Sequence, residues 1–522
     1  MKRCIVALAA ALAWLTSAPA SSAEKVLRFI PQADLRILDP IVTTAGVTRN
    51  HAYMIYDTLF ATDASGQIRP QMVDRWSVSK DKLTYTFTLR EGLAFHDGQP
   101  VRPADCIASL ERWAQRDVLG QRLALAGPTW IAVDEKTFRL QLKRPFPRTL
   151  EALGELSSNV PFIMPERIAK TDAYKAITET IGSGPFKFVK EEWVPGSKVV
   201  YVRNPRYVPR GEPASWAAGG KRVNVDRVEW LYIPDPATAA AAINANEADW
   251  WEVVPPDMMP LLERNRDVRV AHKDEIGSVA VMRFNTLQPP FDNVRLRQAL
   301  LYAIDQKDYV LAVAGGTKLG RECFSFYTCG TPLSATPPGM PLATRRDLER
   351  ARRLIREAGY RDQRIVLISA SDQPQIHSQA LITYDLLRKL GMNVELQVSD
   401  WGTLLARRAS KEPVEKNGWS IFHTLFMGPD LATPAGAPLA ASGDKAWFGW
   451  PSDPALERLR DQWFDAADAA TSRRLADAIQ RQALQSVPFI PTSQVIMLMA
   501  HRTSLTSVIV SPITFFWSVM KK

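Results

Sequence analysis

The stretch IVLISASDQPQIHSQALITYDLLRKLGMNVELQVSDW, residues 365–401, decides the fold. Ile365 to Ile368 is a short, unbroken apolar run of the kind a strand buried on both faces requires. From Ile376 to Leu390 apolar residues return at helical spacing, and Gly391 supplies the flexible residue that ends a helix. Val394 to Val398 reads as a second strand, and Asp400 is placed to cap a helix that starts at Trp401. Strand, helix, strand, helix in so short a span argues for α/β architecture: a mostly parallel sheet with helices on its faces.

The same pattern continues on both sides. Leu348 to Ala358 is a helix ended by Gly359. Residues 293–314 are expected to form one helix, with Leu296, Leu300 and Ile304 on one face and Gly315-Gly316 as its stop. Ser420 to Leu425 is a strand that runs into Gly428-Pro429; two helices follow, one entered through Asp453-Pro454 and one running to Val487 before Pro488. Strands dominate nearer the N-terminus. Leu83 to Leu89 alternates apolar and polar as a half-buried strand does, Thr137 to Leu142 does so more weakly, and a helix from Pro103 to about Ala114 lies between them. Lys198 to Val202 and Arg227 to Ile233 are further strands, followed by an alanine-rich helix over 237–246.

At roughly 150 residues per domain, 522 residues suggest about three domains. With 46% hydrophobic and 23% charged residues the composition is that of a globular chain. The formal charge of +10, or +8 without Lys2 and Arg3, comes with no block of like charges, so no nucleic-acid partner is expected. Residues 1–23 carry a charged start, an apolar run from Ile5 to Leu15 and a small-residue end at Ser21-Ser22-Ala23, the pattern of a cleaved export signal, with Ala20 as an alternative cleavage point. Cys4 precedes the apolar run, so a lipoprotein anchor is not expected. The uncharged stretches 323–344 and 503–520 are broken by Pro or by Ser and Thr, which argues against a membrane span.

Cys323 and Cys329 flank five residues, and an oxidising compartment would permit a disulfide between them, two free loop thiols being the alternative. Cys106 shares a helical face with Leu110 and Trp113 and reads as a buried, inert thiol. No serine stands in a G-x-S-x-G setting, and there is no HExxH, P-loop, GxGxxG or paired-cysteine zinc motif, so neither a catalytic residue nor a cofactor is expected. A bare metal ion is not expected as ligand either, for want of a His or Cys cluster. His96-Asp97-Gly98 reads first as a turn.

Ligands of open α/β sheets bind beyond the carboxyl ends of the strands. Asp372, Asp400 with Trp401, and Asp430 each follow such an end and could line one rim. Each also has a structural alternative: a helix cap for Asp400, a solvated turn for Asp372. Asp430, in an apolar, proline-rich stretch, is the hardest to read as a surface charge. Trp401, Phe426 and Met427 suit either a ligand or a core, and Trp447-Phe448-Gly449-Trp450 suits either an apolar wall or a packed lid.

Tyr85 to Val101 (YTFTLREGLAFHDGQPV) resembles the signature segment of the extracellular solute-binding proteins, family 5, of ABC importers. Further matches run in order: Leu38-Asp39-Pro40, Tyr56 to Leu59, Gly182 to Phe188, Arg203 to Tyr207, Asn285 with Pro290-Phe291-Asp292, Arg297 to Leu300, and Glu357 to Tyr360. The resemblance implies a bilobal periplasmic-binding-protein fold with an inserted third domain: lobe I at 24–55, 180–272 and 489–522, the insertion at 56–179 and lobe II at 273–488. It implies a periplasmic, monomeric receptor that closes on a small-molecule or peptide ligand and delivers it to a permease and ATPase complex. Asp430-Leu-Ala-Thr-Pro434 matches the Asp-x-x-x-Pro context in which peptide-binding relatives hold an α-ammonium, and Asp400-Trp401 matches their acidic residue and Trp at a helix start. Thr44 and Gly46, in the first lobe I segment, complete the candidate ligand set. The chain departs from dipeptide receptors in having Phe426 or Met427 where Trp is usual. It also has no Arg or Lys from Val366 to Leu387, where Asp372 stands instead. A secreted hydrolase of peptides or glycoconjugates is the alternative function, and a periplasmic chaperone or sensory receptor a third.

Overall fold

The segment 365–401 folds as strand Ile365–Ala370, helix Pro374–Lys389, strand Val394–Ser399 and helix Trp401–Arg407 in a computed structural model that describes residues 24–157 and 159–522. The export signal expected over 1–23, with Cys4, lies outside the described residues. All six residues of Ile365–Ala370 are buried, as a run without alternation demands.

This strand belongs to a six-stranded sheet in the order Gly320–Arg321, Phe489–Val495, Ser278–Phe284, Ile421–Met427, Ile365–Ala370, Val394–Ser399. The expectation of a mostly parallel sheet needs correction. Only Ile365–Ala370 pairs in parallel, with both of its neighbours; the other three pairings are antiparallel. The helix-connected strands lie at one edge, while Ser278–Phe284 and Phe489–Val495 enter from outside the alternating segment.

A second correction concerns where lobe II ends. Phe489–Val495, assigned to lobe I from the sequence, pairs with Ser278–Phe284 along its length, so the return crossing falls at Ile496-Met497. Every residue of that strand is buried, polar Thr492, Ser493 and Gln494 included, and a strand with no exposed face carries no sign of which sheet it joins. The helix expected over 293–314 is two helices, Val294–Ala303 and Gln306–Ala314. Ile304 turns extended between them, and the Asp305 carboxylate accepts from Lys307 N at 3.0 Å, starting a new helix as an N-cap does.

The other large sheet has seven strands, in the order Phe186–Phe188, Lys198–Arg203, Arg227–Leu231, Val26–Ile30, Trp250–Val254, Leu498–Arg502, Val268–His272. Its core is aromatic: Phe29 meets Trp230, Trp250 and Phe516 with ring centroids 4.9 to 5.6 Å apart. Residues 56–179 contain a four-stranded antiparallel sheet whose strand Thr84–Leu89 buries Tyr85, Phe87 and Leu89, realising the alternation. Helix Pro103–Trp113 turns Cys106, Leu110 and Trp113 inward. Residues 96–98 form a turn, with Gly98 at φ +93°.

Among the described residues the chain crosses between the two large sheets twice, at 273–277 and at 496–497, and the crossings lie side by side: Lys273 N donates to Met497 O at 2.7 Å. Gly277 has φ +79°, and a Cβ there would stand 2.5 Å from Val495 O, so only glycine fits this approach. Cys323 and Cys329 are disulfide-bonded, with Cα atoms 5.8 Å apart. Among the described residues no helix is long and apolar enough to cross a membrane.

Candidate functional site

A chamber of about 150 Å³ lies between the two large sheets, where strand ends of both meet. From the seven-stranded side it receives the start of helix Gly46–Ile55, which packs on that sheet, and Tyr232, which follows strand Arg227–Leu231. From the six-stranded side come residues 372–376, which follow strand Ile365–Ala370, the end of strand Ile421–Met427 and helix Trp401–Arg407 with Arg408. Of the eight ligand candidates read from the sequence, Thr44, Gly46, Asp372, Trp401, Phe426, Met427 and Asp430 line the chamber; Asp400 does not. Asp400 caps its helix, accepting from Thr403 N at 3.1 Å, and reaches Arg36 at 3.1 Å.

Asp372 bridges the two sides. One carboxylate oxygen accepts from Tyr232 Oη at 2.7 Å and the other from Trp401 N at 2.8 Å. Beside it, Gln373 Nε2 donates to Gln32 O at 2.7 Å. Thr44 Oγ1 accepts from Trp447 Nε1 at 3.4 Å, so Trp447 is the wall of this chamber as well as part of an aromatic cluster with Phe422, Phe426 and Phe448. Gly46 leaves room: a Cβ there would come 2.7 Å from Gln32 Nε2 and 3.5 Å from Met427 Cε.

Asp430 is buried, as its apolar surroundings suggested, and its cation comes from within the chain. Arg49 Nη1 stands 3.6 Å from Asp430 Oδ1, with both side chains at most 7% exposed. The Ser157 hydroxyl sits between them, accepting from Arg49 and donating to Asp430, while Met427 N donates to the other carboxylate oxygen at 3.1 Å. Three separate stretches of chain thus meet at one carboxylate. The charge beside Asp430 in this structure is a guanidinium on helix Gly46–Ile55.

Arg408, like Arg49, is an arginine of the chamber that the sequence reading missed. It is 3% exposed, with its guanidinium over the rings of Phe448 at 4.6 Å, Trp447 at 5.3 Å and Trp401 at 6.0 Å. Burial pushes its pKa down to about 9. The signals for both were present in the sequence. Arg49, Asn50 and His51 are three consecutive polar residues inside an otherwise buried helix, and Arg408 follows Leu404 and Trp401 at one-face spacing.

Thr44, Asp430 and Trp447 also border a second, larger groove of about 1790 Å³ between residues of the 56–179 unit and those of the six-stranded side.

Two sheets, crossed twice at one edge and facing each other over a polar chamber, define a bilobal binding protein. Residues 67–439 match the model of the bacterial extracellular solute-binding proteins, family 5. The "Probable peptide ABC transporter periplasmic-binding protein y4tO" of Sinorhizobium fredii (strain NBRC 101917 / NGR234) is 38% identical, the match covering 97% of this chain and 95% of that one. Two solved structures share the fold. The binding protein AgaA from A. tumefaciens R10, in complex with agropinic acid, has a TM-score of 0.80 at 22% identity and covers 95% of this chain and 99% of its own. The dipeptide binding protein from Pseudoalteromonas sp. SM9913, in complex with Met-Leu, has 0.79 at 21% identity and covers 95% and 100%. The chain belongs to the family 5 extracellular solute-binding proteins, a family of solute-binding proteins rather than enzymes.

Proposed function

We propose that this chain captures a peptide-like or other small polar solute in the periplasm. It closes its two lobes around the solute and presents the closed form to an ABC permease and ATPase complex, acting as a monomer that catalyses no reaction. Residues 1–23 would serve export without leaving a lipid anchor. The division that goes with this reading is lobe I at 24–55, 180–272 and 496–522, the inserted domain at 56–179 and lobe II at 273–495. Thr44, Gly46, Asp372, Trp401, Phe426, Met427 and Asp430 form the ligand chamber, and the adjoining groove gives room for a solute longer than the chamber itself.

One observation carries the reading: polar groups of the two sides pair across the chamber at Arg49–Asp430, Tyr232–Asp372 and Gln373–Gln32. Such pairs exist only when the lobes are together, so they favour a closed state that ligand contacts would stabilise further. Met-Leu and agropinic acid, ligands of the two structural relatives, serve as first probes beside whatever solute the protein retains through native purification. Small-angle scattering of stripped and loaded protein should show a smaller radius of gyration when loaded, with an unchanged far-UV spectrum. An equal radius at demonstrated saturation would refute closure, and turnover of the probe would refute the non-enzymatic reading.

A further inference from the structure

Six charged side chains line the chamber: Arg49, Lys273, Asp274, Asp372, Arg408 and Asp430. Five have a polar partner. Arg49 faces Asp430, Lys273 stands 3.4 Å from Glu252, Asp372 accepts from Tyr232 and Trp401, and Asp274 accepts from the backbone N–H of Ile276 at 2.9 Å and of Gly277 at 2.5 Å. Arg408 has none. Among the described residues no carboxylate lies within ion-pair distance of its guanidinium, its Nε is buried without a hydrogen-bond partner, and what surrounds it is a set of aromatic rings.

A guanidinium taken out of water without a counter-charge is costly, and ring faces compensate only part of that cost. A planar carboxylate is the group whose geometry best matches it. Asp430 shows the reverse: its charge is already matched by Arg49, so a ligand need bring no ammonium there.

We propose that Arg408 is a specificity-determining residue that seats an anionic group of the ligand, a carboxylate above all, inside the ring of Trp401, Phe422, Trp447 and Phe448, and that the ligands of this protein are acids with no required free amine. The inference rests on the receptor reading above and narrows it to a charge class. It also accounts for how the chain can lack a basic residue between Val366 and Leu387: the positive charge reaches the chamber from the end of helix Trp401–Arg407 instead.

The test is a thermal-shift screen of the stripped protein against three sets of probes: carboxylic acids (N-acetyl amino acids, 2-oxo acids, Met-Leu, agropinic acid), neutral sugars, and diamines. Stabilising hits should fall among the acids only. Converting the best acid to its amide should weaken binding on the order of ten- to a hundredfold, as expected for loss of a charge-assisted pair. Arg408→Gln should produce the same loss while the ligand-free melting temperature stays level or rises, because an unpaired buried charge has been removed. Arg408→Lys should retain part of the affinity. An equally tight amide, an Arg408→Gln variant that folds and binds as the parent does, or a screen without an acidic hit overturns the assignment. A neutral or cationic hit that still compacts the molecule in scattering overturns only the anion site and leaves the receptor reading standing; silence across all three sets counts against both.

Discussion

Arg49 and Asp430 show how one buried pair can join two lobes. Removing either partner strands the other charge in a largely buried site, at a cost of up to about 3–5 kcal/mol if the lobes stay shut; opening the lobes lets more water reach it and relieves that cost. Asp430→Asn and Arg49→Gln are therefore expected to loosen the closed form and weaken binding without unfolding either lobe. The double variant should do no more harm than the worse single one, giving a coupling of about 1–3 kcal/mol in a calorimetric double-mutant cycle. Strictly additive losses would mean that the two side chains act independently. The buried histidines make a second prediction. Burial pushes His51 and His423 down to about 3 and His96 to about 4, against 6.5 for an exposed imidazole. The unfolded chain therefore takes up these protons first as the pH falls. Stability is fully present above about pH 6.5 and is lost on acidification, by about 2 kcal/mol per histidine at pH 5. Asp117, which burial pushes up to about 6, works the other way and offsets part of this loss. Denaturant midpoints measured from pH 7 to 5 should fall, and His423→Gln should flatten the slope. A slope unchanged by the substitution would remove His423 from the account.

At the scale of elements, the disulfide loop supports the site without touching the chamber. Thr328 N donates to Leu431 O at 3.0 Å and Thr328 Oγ1 donates to Gly428 O at 2.7 Å, so the loop closed by Cys323 and Cys329 braces the turn Gly428–Leu431 that holds Asp430. Replacing both cysteines with serine should lower stability by roughly 2 kcal/mol and also weaken ligand binding, because a freed loop no longer fixes that turn. Thiol titration of the denatured, unreduced chain from residue 24 onward should find one reactive group, Cys106; three would mean that the bridge does not form. How legible each element was follows from its pattern. Thr84–Leu89 could be read because it alternates, and Trp401–Arg407 because Asp400 caps it. Phe489–Val495 could not be placed: wholly buried, it has the same pattern whichever sheet it joins.

For the molecule as a whole, the paired crossings at 273–277 and 496–497 make the only covalent links between the seven-stranded and six-stranded sheets among the described residues, and their adjacency suits a hinge. Gly277→Ala would force a Cβ against Val495 O at a positive φ. It should shift the hinge rather than either lobe: ligand affinity falls, while each sheet keeps its hydrogen-exchange protection. Loss of protection throughout the six-stranded sheet would make Gly277 a folding residue instead.

The sequence by itself determined the α/β character, the family likeness and the places where strands hand over to loops, because periodicity, caps and ordered motifs are local and survive without the fold. It also pointed to seven of the residues that meet in the chamber, five of them at or after strand ends, where open sheets bind ligands. Only the tertiary structure decided which charges find each other. Arg49 and Asp430 are 381 positions apart, Ser157 comes from a third stretch, and nothing local to any of them says that this guanidinium would meet this carboxylate. The same holds for Arg408, whose lack of a partner becomes a property only once every neighbour is in place. Burial, pairing and desolvation depend on what the rest of the chain brings to a point in space.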